Sequence, residues 1–127
     1  MDVLKALKRI QFLTMYKVYI EKELKESIVN TLNCNTYVEY RLEEQEKLKA
    51  KLLANQEETN ELKHSLDEYL DKLECSEKKI ICLYYYENKK MNEISKVIGY
   101  SERHTRRLYK IALDKIEKEQ RNSGSDF

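Results

Sequence analysis

The sequence predicts an all-α protein, an N-terminal helical hairpin or coiled-coil extension followed by a helix-turn-helix bundle. Composition, periodicity and one dense C-terminal motif lead there. The 127 residues contain no Pro and only two Gly, Gly99 and Gly124. Sandwiches, barrels and phosphate-cradling loops draw on both residues for their turns. Charged side chains make up 37% of the chain and hydrophobic ones 41%, the balance of long, charged helices.

The first helix is expected from about Asp2 to about Asn30. Ile10, Leu13, Ile20, Leu24 and Ile28 recur on one face. Asn30, Asn33 and Asn35 then favour a turn. A second helix starts near Thr36 and runs into the seventies. Val38, Leu48, Leu52, Leu62, Leu66, Tyr69 and Leu73 share one a/d register, interrupted by Arg41, Gln45, Asn55 and Thr59. The segment Ala54–Asn60 is polar all round and reads as a bend or a solvent-exposed helical stalk. Such stripes need a partner surface. An antiparallel hairpin and a two-chain coiled coil both satisfy them, and the polar breaks favour the hairpin. Residues 1–60 thus form a helical extension able to self-associate as a homodimer.

Residues 61–121 carry denser signals. Ser76 is the expected N-cap of a helix whose apolar side is Ile80, Ile81, Leu83, Tyr85 and Tyr86, ended by Asn88-Lys89-Lys90. Met91, Ile94, Val97 and Ile98 form a short helix that stops at Gly99. Ser101 caps the next one, with Leu108, Ile111, Ala112 and Ile116. The tail 122–127 is polar and expected to be disordered.

Met91–Lys110 has the spacing of a helix-turn-helix. Ser95 is the small residue where the second helix approaches, and Gly99, four residues on, suits a positive φ in the turn. Ile94, Ile98, Tyr100 and Leu108 fall on the apolar crossing positions. Thr105 takes a position that wants an apolar side chain, so its hydroxyl needs a backbone acceptor. An ordinary helical hairpin in a bundle is the competing reading, and the outer face of the second helix decides against it. Glu102, Arg103, Arg106, Arg107 and Lys110 lie there, cationic in all but the first. Helix N-termini attract phosphate and arginines pair bidentately with guanine. Charge asymmetry agrees. Residues 1–75 carry a net −3 and residues 76–121 a net +5.

Residues 62–118 resemble region 4 of sigma-70-type transcription factors, which reads promoter −35 elements. The likeness rests on LDEYLDKLECSEKKIICLYYYENKKMNEIS and KVIGYSERHTRRLYKIALDKI. Leu83–Tyr86 fills the family's aromatic run and Glu93-Ile94-Ser95 its Glu-Ile-Ala motif, with Ser for Ala. Gly99-Tyr100-Ser101 and Ala112-Leu113 complete the pattern. The resemblance implies base contacts from Glu102, Arg103, Arg106 and Arg107. It implies phosphate contacts from Lys89, Lys90, Ser101 and Lys110, with double-stranded DNA and RNA polymerase as partners. Residues 1–60 lack the composition of a core-binding sigma region. The layout instead resembles small phage-encoded late-gene activators of the ArpU and RinA type. A small terminase subunit for phage packaging and a polymerase-binding interaction module remain alternatives.

No catalytic constellation is expected. His64 and His104 lie far apart, so neither a metal nor a cofactor is expected, and the protein reads as a non-enzyme. His104 reads either as a nucleic-acid contact or as a plain exposed side chain. Cys82 is expected on the buried side of its helix and Tyr84 is expected to be exposed, toward DNA or a partner. Cys34, Cys75 and Cys82 form no CxxC pair, and no apolar leader or membrane-length run occurs. A reducing cytoplasm is the expected setting.

Overall fold

The computed structural model describes residues 2–34 and 36–124. Helix α1 spans Val3–Asn33 and α2 spans Val38–Leu70. They are followed by α3 (Cys75–Ile81), a π-helical turn (Cys82–Tyr86), α4 (Met91–Ile98) and α5 (Glu102–Gly124). Among the described residues there is no strand.

Asp2 starts α1 by accepting the Lys5 N–H at 3.2 Å. The helix runs three residues beyond the expected end, because Arg41 donates to the Asn30 carbonyl at 2.8 Å and the Cys34 carbonyl at 3.3 Å. Those bonds satisfy acceptors that a helix end leaves open. Tyr37, at φ 58°, reverses the chain, and α2 returns antiparallel along α1.

The a/d register of α2 faces α1 as expected, and its polar members face inward with the rest. Gln45, Asn55 and Thr59 are buried. Asn55 Nδ2 donates to the Leu13 carbonyl at 2.9 Å, and Gln45 Nε2 to Ser27 Oγ and Thr31 Oγ1 at 3.2 and 3.0 Å. Over Ala54–Asn60 the expected bend is absent and the helix runs unbroken, but the expected full exposure of a helical stalk is corrected, since Asn55 and Thr59 are buried. Asn55 finds its partner on α1 and Thr59 Oγ1 donates to Asn55 Oδ1 within α2 at 3.5 Å, so burial does not leave them unsatisfied. On α1, Ile10, Leu13 and Ile20 are buried, whereas Ile28 lies near the hairpin tip and is exposed.

The boundary expected between residues 60 and 61 lies inside α2. Val3, Ala6, Leu7 and Ile10 of α1 share one buried cluster with Leu66, Leu70, Leu73, Ile81, Tyr85, Ala112 and Ile116. A second cluster joins Ile80, Leu83, Met91 and Ile94, with Ile98 and Leu108 against it. Tyr84 and Tyr109 touch both.

Two further expectations are corrected. Ser76 is not the N-cap of α3. Glu74 is, because its N–H is taken by the Glu77 carboxylate at 3.2 Å in a capping box. The tail is helical through Gly124, continuing the α5 ladder; Ser125–Phe127 lie outside the described residues.

Candidate nucleic-acid interface

The site is α5 held by α4, and the hold begins at the turn. Gly99 sits at φ 78° and its N–H reaches the Ser95 carbonyl at 3.0 Å, with Tyr100 N–H on the same carbonyl at 3.2 Å. This left-handed residue ends α4 and reverses the chain within three residues. Ser95 is buried and its hydroxyl donates back to the Asn92 carbonyl at 2.8 Å. Ser101 starts α5 as expected, its Oγ accepting the His104 N–H at 3.1 Å. Thr105 is fully buried, and its hydroxyl finds the required acceptor in the Ser101 carbonyl at 2.8 Å. Ile94 is fully buried under α5, with Ile98 and Leu108 half-buried beside it.

Tyr100 does not join that crossing. It is exposed and packs edge-on against the His104 ring, 4.9 Å between centroids. The αL turn at Gly99 aims the next side chain outward, away from α4.

Two contacts that periodicity does not reveal fix α5 from behind. Lys115 Nζ donates to the buried Glu77 carboxylate at 2.6 Å, tying α5 to α3. The Tyr85 and Tyr109 hydroxyls share a hydrogen bond of 2.6 Å. Burial, then the Tyr109 bond, pushes the Tyr85 phenol far above its ordinary range. Tyr84 completes the cluster, edge-on to Tyr85 and tilted against Tyr109 at centroid distances of 4.8 and 5.2 Å. It is thus half-buried structure and not the exposed contact expected from sequence. Cys82 is half-buried, and burial raises its thiol pKa.

The front of α5 is open. Glu102, Arg103, Arg106, Arg107 and Lys110 are all exposed. Arg103, Arg106, Arg107 and Lys110 line a shallow surface groove with Ile111 and Asp114. Arg106 Nη2 is held by Glu102 at 2.7 Å. Among the described residues, Arg103, Arg107 and Lys110 have no ion-pair partner. Lys90 lies at the N-cap of α4, its N–H directed at the Glu93 carboxylate at 3.5 Å. Lys89 is half-buried, with its N–H closing the π-turn on the Leu83 carbonyl at 3.0 Å.

Among the described residues, no group of three or more His, Cys, Asp or Glu is placed to hold a metal ion. None of their helices is long and apolar enough to cross a membrane.

Residues 69–118 match the family model of Sigma-70, region 4. The matched segment runs from the last turn of α2 through most of α5, so it contains the turn and the cationic helix face. No curated protein and no solved structure matches the chain. Residues 69–118 thus form a helix-turn-helix that resembles Sigma-70, region 4.

Proposed function

We propose that the protein is a sequence-specific, double-stranded DNA-binding transcription regulator of phage or prophage origin, akin to small late-gene activators, and not an enzyme. Residues 61–121 read the DNA and residues 1–60 extend from that unit. The observation that carries the proposal is the row of cations on α5. Arg103, Arg107 and Lys110 stand in solvent with no ion-pair partner among the described residues, on a helix clamped from behind. A surface helix stabilised for its own sake would pair them at i,i+4, as Arg106 pairs with Glu102.

In this reading α5 lies in a major groove with its N-terminal turns against base edges. Arg103 and Arg106 read bases, with Glu102 orienting Arg106 or accepting from a cytosine amine. Arg107, Lys110, Ser101, Lys89 and Lys90 meet phosphates. RNA polymerase is the protein partner that the likeness to Sigma-70, region 4 suggests.

The test is fluorescence anisotropy on a selected site and a scrambled duplex across a salt series. Arg103→Ala is expected to cost about 1–3 kcal/mol on the selected site alone. Arg107→Ala is expected to weaken both duplexes alike and lower the salt slope by about one. A folded Arg103→Ala/Arg106→Ala/Arg107→Ala variant that binds both duplexes like the parent overturns the reading.

A further inference from the structure

The face of α1 turned away from α2 and from the helix-turn-helix carries a seam that the fold leaves uncovered. Lys8, Phe12, Met15, Tyr19, Lys22 and Glu26 follow one another at steps of four, three, four, three and four, the spacing of a heptad stripe. All six are exposed, and at its centre Phe12, Met15 and Tyr19 are 45, 60 and 55% exposed. Phe12 and Tyr19 both stack on Tyr16, at centroid distances of 5.8 and 6.2 Å, which stiffens the centre.

The order of chemistry along the seam identifies its occupant. It runs cation, aromatic, thioether, aromatic, cation, anion. Turned end for end about its midpoint between Met15 and Tyr19, the seam meets its own complement. Lys8 then faces Glu26, Phe12 faces Lys22 and Met15 faces Tyr19. These are a salt bridge, a lysine–aromatic contact and a sulfur–aromatic contact, each made twice across a two-fold axis. A parallel arrangement would instead set Lys8, Lys22 and Glu26 each against its own copy. Among the described residues, Lys8, Lys22 and Glu26 make no ion pair, while the off-seam Arg9 is bound to Glu58 at 3.0 Å and lies 5.4 Å from the Phe12 ring centroid, so Lys22 of the second copy meets Phe12 at its exposed edge. The helix is already folded on α2, so pairing carries no cost of helix formation. At 1.5 Å per residue the seam is about 27 Å long.

We infer that two copies of this chain associate antiparallel through the Lys8–Glu26 face of α1. The inference does not depend on DNA binding and is tested without DNA.

Sedimentation equilibrium of the full chain at low salt is expected to show a monomer–dimer equilibrium. Met15→Glu is expected to raise the dimer dissociation constant roughly 100-fold with unchanged far-UV circular dichroism, since the side chain contributes nothing to the core. Lys8→Glu and Glu26→Lys are each expected to weaken self-association about 5- to 10-fold, because each sets like charges opposite one another twice. The double variant Lys8→Glu/Glu26→Lys restores both pairs and returns to within about 3-fold of the parent. An equimolar mixture of the two single variants likewise forms a heterodimer tighter than either homodimer. A parent that stays monomeric up to roughly 1 mM overturns the inference. So does a Met15→Glu variant that dimerises like the parent, or a double variant no better than the singles.

Discussion

The base of the molecule and its projecting arm use the same two helices with opposite chemistry. At the base, Val3, Leu7 and Ile10 of α1 and Leu66 and Leu70 of α2 are buried with Ile81 and Tyr85 around the helix-turn-helix. In the arm, Gln45 and Asn55 hold the same α2 face against α1 by hydrogen bonds, with the buried Thr59 bonded to Asn55. Apolar burial is strong but tolerant of sliding, whereas a buried amide accepts only the register in which its partners are present. The base therefore supplies stability to the helix-turn-helix, and the arm fixes the alignment of the hairpin.

That contrast ranks the consequences of substitution. Leu7→Ala should be the most damaging, costing about 2–5 kcal/mol in chemical denaturation. The tyrosine near-UV signal should be lost in the same transition, because Leu7 and Tyr85 share a core. Separate transitions would instead make α1 and the helix-turn-helix independent units. Gly99→Val should cost about 1–3 kcal/mol. A Cβ at Gly99 meets nothing within 4 Å, so the penalty is that of φ 78° alone. Gly99→Asn, which tolerates this region, should recover most of it. A full loss in both variants would locate the cost in packing and not in the backbone.

In the arm the effects should shrink. Asn55→Ala removes the bond to Leu13 and leaves Thr59 Oγ1 without its 3.5 Å partner Asn55 Oδ1, for about 1–2 kcal/mol. Gln45→Ala lies farther out, donates to two hydroxyls and should cost about 0.5–1.5 kcal/mol. Hydrogen exchange should place amides around Gln45 below the protection of those around Leu70. Equal protection would mean that polar seam and apolar base open together.

Alkaline titration tests the base once more. Burial holds the Tyr85 and Tyr86 phenols protonated well above their ordinary range. Both stay neutral in the fold at a pH where the unfolded chain has ionised them. Stability should therefore fall as pH rises past about 10, the unfolded value. Absorbance near 295 nm should show the Tyr85 and Tyr86 phenols ionising only as the protein unfolds.

The turn of the helix-turn-helix and its buried small and polar residues were legible in the sequence, whereas the outward Tyr100 was not. Ser95, Gly99, Ser101 and Thr105 do what their local chemistry requires, because a tight turn constrains residues that lie close together in the chain. The open cationic face of α5 follows from the same periodicity. The supports behind it were not legible. Glu77 reaches Lys115 across 38 positions, and neither residue differs in sequence from any other charge on a helix surface.

By itself the sequence determined the helices, the sharp turn and which face of α5 is basic. These rest on 3.6-residue periodicity and on backbone preferences that act within a few residues. Tertiary structure decided which polar side chains are inside. Asn55 and Thr59 read as solvated, yet α1 brings the Leu13 carbonyl to one of them and so makes their burial affordable. It also decided that Tyr84 packs and Tyr100 does not, since each outcome depends on what Tyr109 and the Gly99 turn place opposite. A polar or aromatic residue carries no inward or outward preference strong enough to be read alone. The partner across the helix gap settles it.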